Sequence, residues 1–133
     1  MGNLETLQVK VQSMLDGEKK RRVIAIQFVE KVVEIVAPIC DSIFMQYDEF
    51  GEVVSLGRNL YFRWETHYGA SDTENIGFYM KYDDYLVWGT PICDVKGTEF
   101  WGAIRDIVDW VECISEKIDE KETSREKLLS LLK

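Results

Sequence analysis

Apolar residues recur at intervals of three and four in the first third of the chain, at intervals of two in the middle, and at three and four again toward the end. That order predicts helices, then a sheet, then helices. Leu4, Leu7, Val11 and Met14 set a first helix over residues 3–15, with Asn3 as its cap and Asp16-Gly17 as its stop. Its apolar stripe is narrow, so it rests either on the core or along a seam with a second copy of the chain. A second helix starts at Lys20. Gln27, Glu30, Lys31 and Glu34 mark its polar face, and Phe28, Val29, Val32 and Val36 its apolar one. The many β-branched residues favour a strand, but the period of the polar positions overrules that propensity. Pro38 must kink the helix. The apolar phase persists through Ile39, Ile43 and Tyr47, so a kinked continuation is expected to about Tyr47, with a strand at Ile43–Tyr47 as the alternative.

The sheet pattern begins after Gly51. Glu52–Leu56 is a short strand closed by Gly57-Arg58-Asn59. Leu60, Phe62, Trp64 and Tyr68 then alternate with Tyr61, Arg63, Glu65 and His67. Beyond a polar loop at Gly69–Asn75, Ile76, Phe78, Met80 and Tyr82 form the next inward row, opposed by Tyr79 and Lys81. Asp83-Asp84 suits a tight turn, and Tyr85–Trp88 returns as a fourth strand. More than half of the sixteen aromatic residues lie in this stretch. The even-numbered row is expected to face the helices, and the odd-numbered row to face water or a partner.

Thr98 opens a third helix whose broad stripe runs through Phe100, Trp101, Ile104, Ile107, Val108, Val111, Ile114 and Ile118. Trp110 falls on its flank. Thr123 and Glu126 have the spacing of a capping box, predicting a fresh start for a short last helix with Leu128, Leu129, Leu131 and Leu132. Those leucines must fold back or meet another chain. The fold class is therefore α+β: a four-stranded antiparallel β-meander packed on one face by two N-terminal helices and one or two C-terminal ones. At 133 residues the chain is expected to be one domain, helical to residue 50, sheet over 52–89 and helical again over 98–132.

Charge adds an asymmetry. The net charge is −8. Residues 1–37 hold six basic and five acidic side chains, whereas the remainder holds ten and nineteen. The acidity belongs to the sheet and the C-terminal helices, which argues against direct binding to nucleic acid or to an anionic membrane. The cluster Glu18–Arg22 reads as a solvated helix start. Asp106, Asp109, Glu112 and Glu116 line one face of the third helix. Three cysteines without paired spacing suggest neither a disulfide framework nor a zinc site, and fit a reducing compartment. With no apolar leader at Met1–Gln12, the cytoplasm is the expected location.

Catalytic residues are scarce. His67 is the only histidine. A Cys93 nucleophile with His67 as its base has no supporting signature, and no phosphate loop or metal motif is present. No catalytic residue, metal or cofactor is assigned. Two surfaces remain as partner-binding candidates: the odd-numbered sheet row (Tyr61, Arg63, His67, Tyr79, Lys81) and the acidic helix row (Asp106, Asp109, Glu112, Glu116). Both point to a small acidic interaction protein, of inhibitor, adaptor, antitoxin or chaperone type. It would dock a protein with a basic surface, with a decoy for a nucleic-acid-binding enzyme as the more specific version, and self-pairing would use the first helix. The alternative is a small-molecule-binding domain or enzyme with an aromatic pocket between sheet and helices.

Overall fold

A computed structural model of the chain describes residues 2–44, 47–48, 51–66, 76–81 and 89–133. The fold is α+β. Helix α1 spans Asn3–Val36; a 3-10 turn at Ala37–Ile39 leads into the short α2, Cys40–Ile43. Strands β1 (Tyr47–Asp48), β2 (Gly51–Gly57), β3 (Leu60–Thr66), β4 (Gly77–Met80) and β5 (Thr90–Pro91) follow. A second 3-10 turn at Ile92–Asp94 then precedes α3, Gly97–Leu131. The strands form an antiparallel meander in the order β1-β2-β3-β4-β5. The fourth strand expected at Tyr85–Trp88 and the turn at Asp83-Asp84 lie outside the described residues.

The N-terminal region is one long helix, not two. Asp16-Gly17 does not stop it, because Gly17 keeps ordinary helical backbone and does not take the left-handed conformation that a glycine stop requires. A Cβ at Gly17 would come within 2.9 Å of the Arg21 guanidinium, so the bare glycine leaves room for Arg21 to lie along the helix. There Arg21 pairs with Glu18 at 3.7 Å, and Gln12 donates to Asp16 at 3.1 Å one turn earlier. Pro38 acts as expected and sits in the 3-10 turn that ends α1. The continuation beyond it is shorter than its apolar phase suggested. Phe44 is already extended (φ −113°, ψ 146°), and Tyr47 belongs to β1.

The C-terminal region is likewise one helix. Thr123 starts nothing new: between Gly102 and the end of α3 there is no glycine or proline to force a break. The helix begins with Lys96 as its cap residue, so Thr98 falls in its first turn.

The core lies between the sheet and the helices. Leu60, Phe62, Trp64, Phe78 and Met80 are buried, as alternation predicted, against Val29, Val32 and Val36 of α1 and Phe100, Ile107 and Ile114 of α3. Trp110 is central to this joint. Its ring stacks on Phe44 (6.0 Å), meets Phe78 edge-on (5.5 Å) and lies 5.4 Å from Phe62, so a residue read as flanking ties α3 to the sheet. At Gly89 a positive φ of 76° lets the chain pass β4 closely; a Cβ there would meet the Met80 carbonyl oxygen at 2.7 Å.

Helices α1 and α3 run in the same direction. Trp101 donates its indole N–H to Glu18. Arg22 lies over the Phe100 ring and donates to the Cys93 and Val95 carbonyl oxygens (2.8 and 2.6 Å). At the far end Arg125 donates to the Ser42 carbonyl oxygen at 2.8 Å. Residues 18–22 thus sit beside 93–101, and 42 beside 125. Residues before 17 extend past the start of α3, and residues after 125 extend past the end of α2. Among the described residues no helix is long and apolar enough to cross a membrane.

Candidate functional site

Helix α3 buries Phe100, Ala103, Ile107 and Ile114, so the residues half a turn away must face solvent. Asp109, Glu112 and Glu116 are fully on that outer face, and Asp106 is half-buried at its edge. Among the described residues no ion pair engages any of the four; the ion pairs seen are both on α1. Asp109, Glu112 and Glu116 thus form a strip of exposed negative charge along the helix. Among the described residues no cluster of side chains could hold a metal ion.

The odd-numbered sheet row is arranged differently from its expectation. Cross-strand register does bring its members together: Tyr61 pairs with Tyr79, and Arg63 with Gly77 on one side and Val53 on the other. Yet Arg63 is only 3% exposed and Tyr79 only 7%, and Tyr61 and Lys81 are half-buried. The row does not form an open, water-facing surface at Arg63 and Tyr79. Alternation specifies which side of a sheet a residue takes, but not whether that side is covered. His67 lies outside the described residues.

An apolar cleft of about 270 Å³ opens between α1, β4 and the 3-10 turn before α3. Ile26, Val29, Val33, Phe78, Pro91 and Cys93 are among its walls. The Cys93 thiol is pushed above its ordinary range, first by burial and then by the neighbouring Asp94 carboxylate, whose oxygen is 3.9 Å away. The shift favours the neutral thiol over the thiolate that a nucleophile needs.

Sequence reading missed two features. Glu18 and Arg22 are not merely solvated: they fasten α1 to α3 and to the turn before it. The long helices also carry exposed apolar side chains beyond the core. Leu4, Leu7, Val11, Met14 and Leu15 are exposed at one end, and Leu128, Leu129, Leu131 and Leu132 at the other. The leucines at the C-terminal end do not fold back. The chain matches no family model, no curated protein and no solved structure.

Proposed function

We propose that the protein is a small non-enzymatic interaction module that pairs with itself and docks a partner bearing a basic surface. The carrying observation is the strip Asp109, Glu112 and Glu116, exposed along a helix whose opposite face is fastened to the core. Carboxylates on a rigid rod are pre-ordered, so a cationic groove meets them without having to order a loop. This suits an inhibitor, an adaptor or an antitoxin- or chaperone-like protein, and an acidic decoy for a nucleic-acid-binding enzyme is its most specific form. Tyr61, Arg63, Tyr79 and Lys81 of the sheet would then support the fold more than the contact, given their burial. The three free cysteines, two of them exposed, support a reducing compartment such as the cytoplasm.

Affinity capture from the source cells tests this reading, comparing the native chain with an Asp109→Lys, Glu112→Lys, Glu116→Lys triple variant at low and high salt. The expected result is a basic protein held at low salt by the native chain and lost by the variant, with helical content unchanged. The same proteins captured by both chains at both salts would rule the reading out.

The cleft beside Cys93 favours a second reading, a small-molecule site. Its volume is below the ~300–1,000 Å³ usual for such sites. A thermal-shift screen with metabolites decides: a ligand held by the native state must raise the melting temperature.

A further inference from the structure

Helix α1 carries one stripe along its full length. Leu4, Leu7, Val11 and Met14 are followed at steps of three and four by Glu18, Arg22, Ala25, Val29, Val32 and Val36. From Ala25 onward the apolar members are buried; before Gly17 every described residue is exposed. The exposed part spans about 21 Å at ~1.5 Å per residue. It faces the space beyond the start of α3, the same side that the core occupies further along.

We infer that this space is filled by α1 of a second copy running antiparallel, an assignment that rests on the self-pairing proposed above and adds its segment and direction. The stripe is self-complementary. Its spacing of three, four and three is symmetric about residue 9, so reversal sets Leu4 against the partner's Met14 and Leu7 against the partner's Val11. At matching levels Lys10 meets the partner's Gln8 and Glu5 the partner's Ser13, and the closest like-charge approach is that of Lys10 to the partner's Lys10. A parallel pair would set Lys19, Lys20 and Arg21 against their own copies. The antiparallel pair holds those clusters about 30 Å apart by helix rise, far beyond the ~8 Å screening length. At roughly 100 Å² per side chain, Leu4, Leu7, Val11, Met14 and Leu15 bury about 1,000 Å² over both copies, which is the lower bound for a specific interface. Pairing is therefore reversible and concentration-dependent.

Sedimentation of the full chain up to concentrations well above the micromolar range should show a monomer–dimer equilibrium. The Leu7→Glu, Val11→Glu variant should sediment as a monomer with an unchanged circular dichroism spectrum. Direction is read from Leu4→Cys, Met14→Cys on a Cys93→Ser, Cys113→Ser background. After oxidation, trypsin cuts after Lys10. The antiparallel pair links the peptide ending at Lys10 to the one starting at Val11. A native chain that stays monomeric throughout overturns both this assignment and the self-pairing. A dimer that survives Leu7→Glu, Val11→Glu, or cross-links joining like peptides, overturns this assignment and leaves self-pairing in place.

Discussion

The two halves of α1 share one apolar stripe and differ in what covers it. In the half from Ala25 to Val36 the stripe packs on the sheet and α3, and every member is buried. In the half from Leu4 to Met14 the same spacing carries side chains as exposed as Leu4, at 79%. Helix α3 repeats the contrast in mirror order, with Ile107 fully buried in its middle and Leu131 at 78% exposure near its end. The difference teaches that a stripe at helical spacing specifies a face and not its neighbour. Which part is core depends on where other elements end. Here α3 starts beside residue 18 of α1, and α2 ends beside residue 125 of α3.

The largest effect expected from this contrast is in the covered half. Trp110→Ala removes the ring shared by Phe44, Phe62 and Phe78, and should cost about 3–5 kcal/mol of unfolding free energy in urea titration. A loss under 1 kcal/mol would mean that α3 is not held to the sheet there.

Next comes the boundary between covered and uncovered halves. Arg22→Met leaves the Cys93 and Val95 carbonyl oxygens without their charged donor, at a cost of about 1–3 kcal/mol. Arg22→Lys should recover less than half, because one ammonium does not reproduce a guanidinium bonded to two carbonyls and stacked on Phe100. Full rescue by lysine would show that charge alone matters.

At the uncovered ends the effect should nearly vanish. Leu131→Ser and Leu132→Ser remove exposed side chains, and each should change unfolding free energy by less than about 0.5 kcal/mol. A larger loss would reveal a cover over the end of α3.

The smallest effect is read at Cys93, next to the Arg22 clamp. Its thiol is raised in the folded chain, first by burial and then by Asp94. Folding therefore favours the neutral thiol. That contribution is complete below the ordinary thiol range and is lost as pH rises through the folded value. In a Cys113→Ser variant, alkylation of native Cys93 should be slower than that of the unfolded chain near neutral pH and should catch up only in more alkaline solution. A native rate equal to or above the unfolded rate at neutral pH would contradict it.

Much of the fold was legible from period alone. Alternation placed Leu60, Phe62, Trp64, Phe78 and Met80 in the core, and steps of three and four placed Val29, Val32, Val36, Ile107 and Ile114 there. Boundaries were less legible, because local stop signals are weak against a continuing helix. Gly17 costs a helix about 1 kcal/mol, less than the packing and clamps around it supply, so Asp16-Gly17 was overrun. Thr123 was overrun because no glycine or proline near it breaks the helix. Of the candidate site, the acidic row could be read because an outer helix face follows from the inner one. The burial of Arg63 and Tyr79 could not, since it depends on what lies over the sheet's second side.

By itself, then, the sequence determined the order of elements, the inward rows of sheet and helices, and the acidic outer face of α3. These follow from the 3.6- and 2-residue repeats of the backbone, which any chain with this pattern must obey. Only tertiary structure decided that α1 and α3 are unbroken, that Arg22 and Trp110 join the layers, and that equal apolar stripes end as core in one half and as surface in the other. Each of these depends on residues far apart in the chain meeting in space, and no local period encodes such meetings.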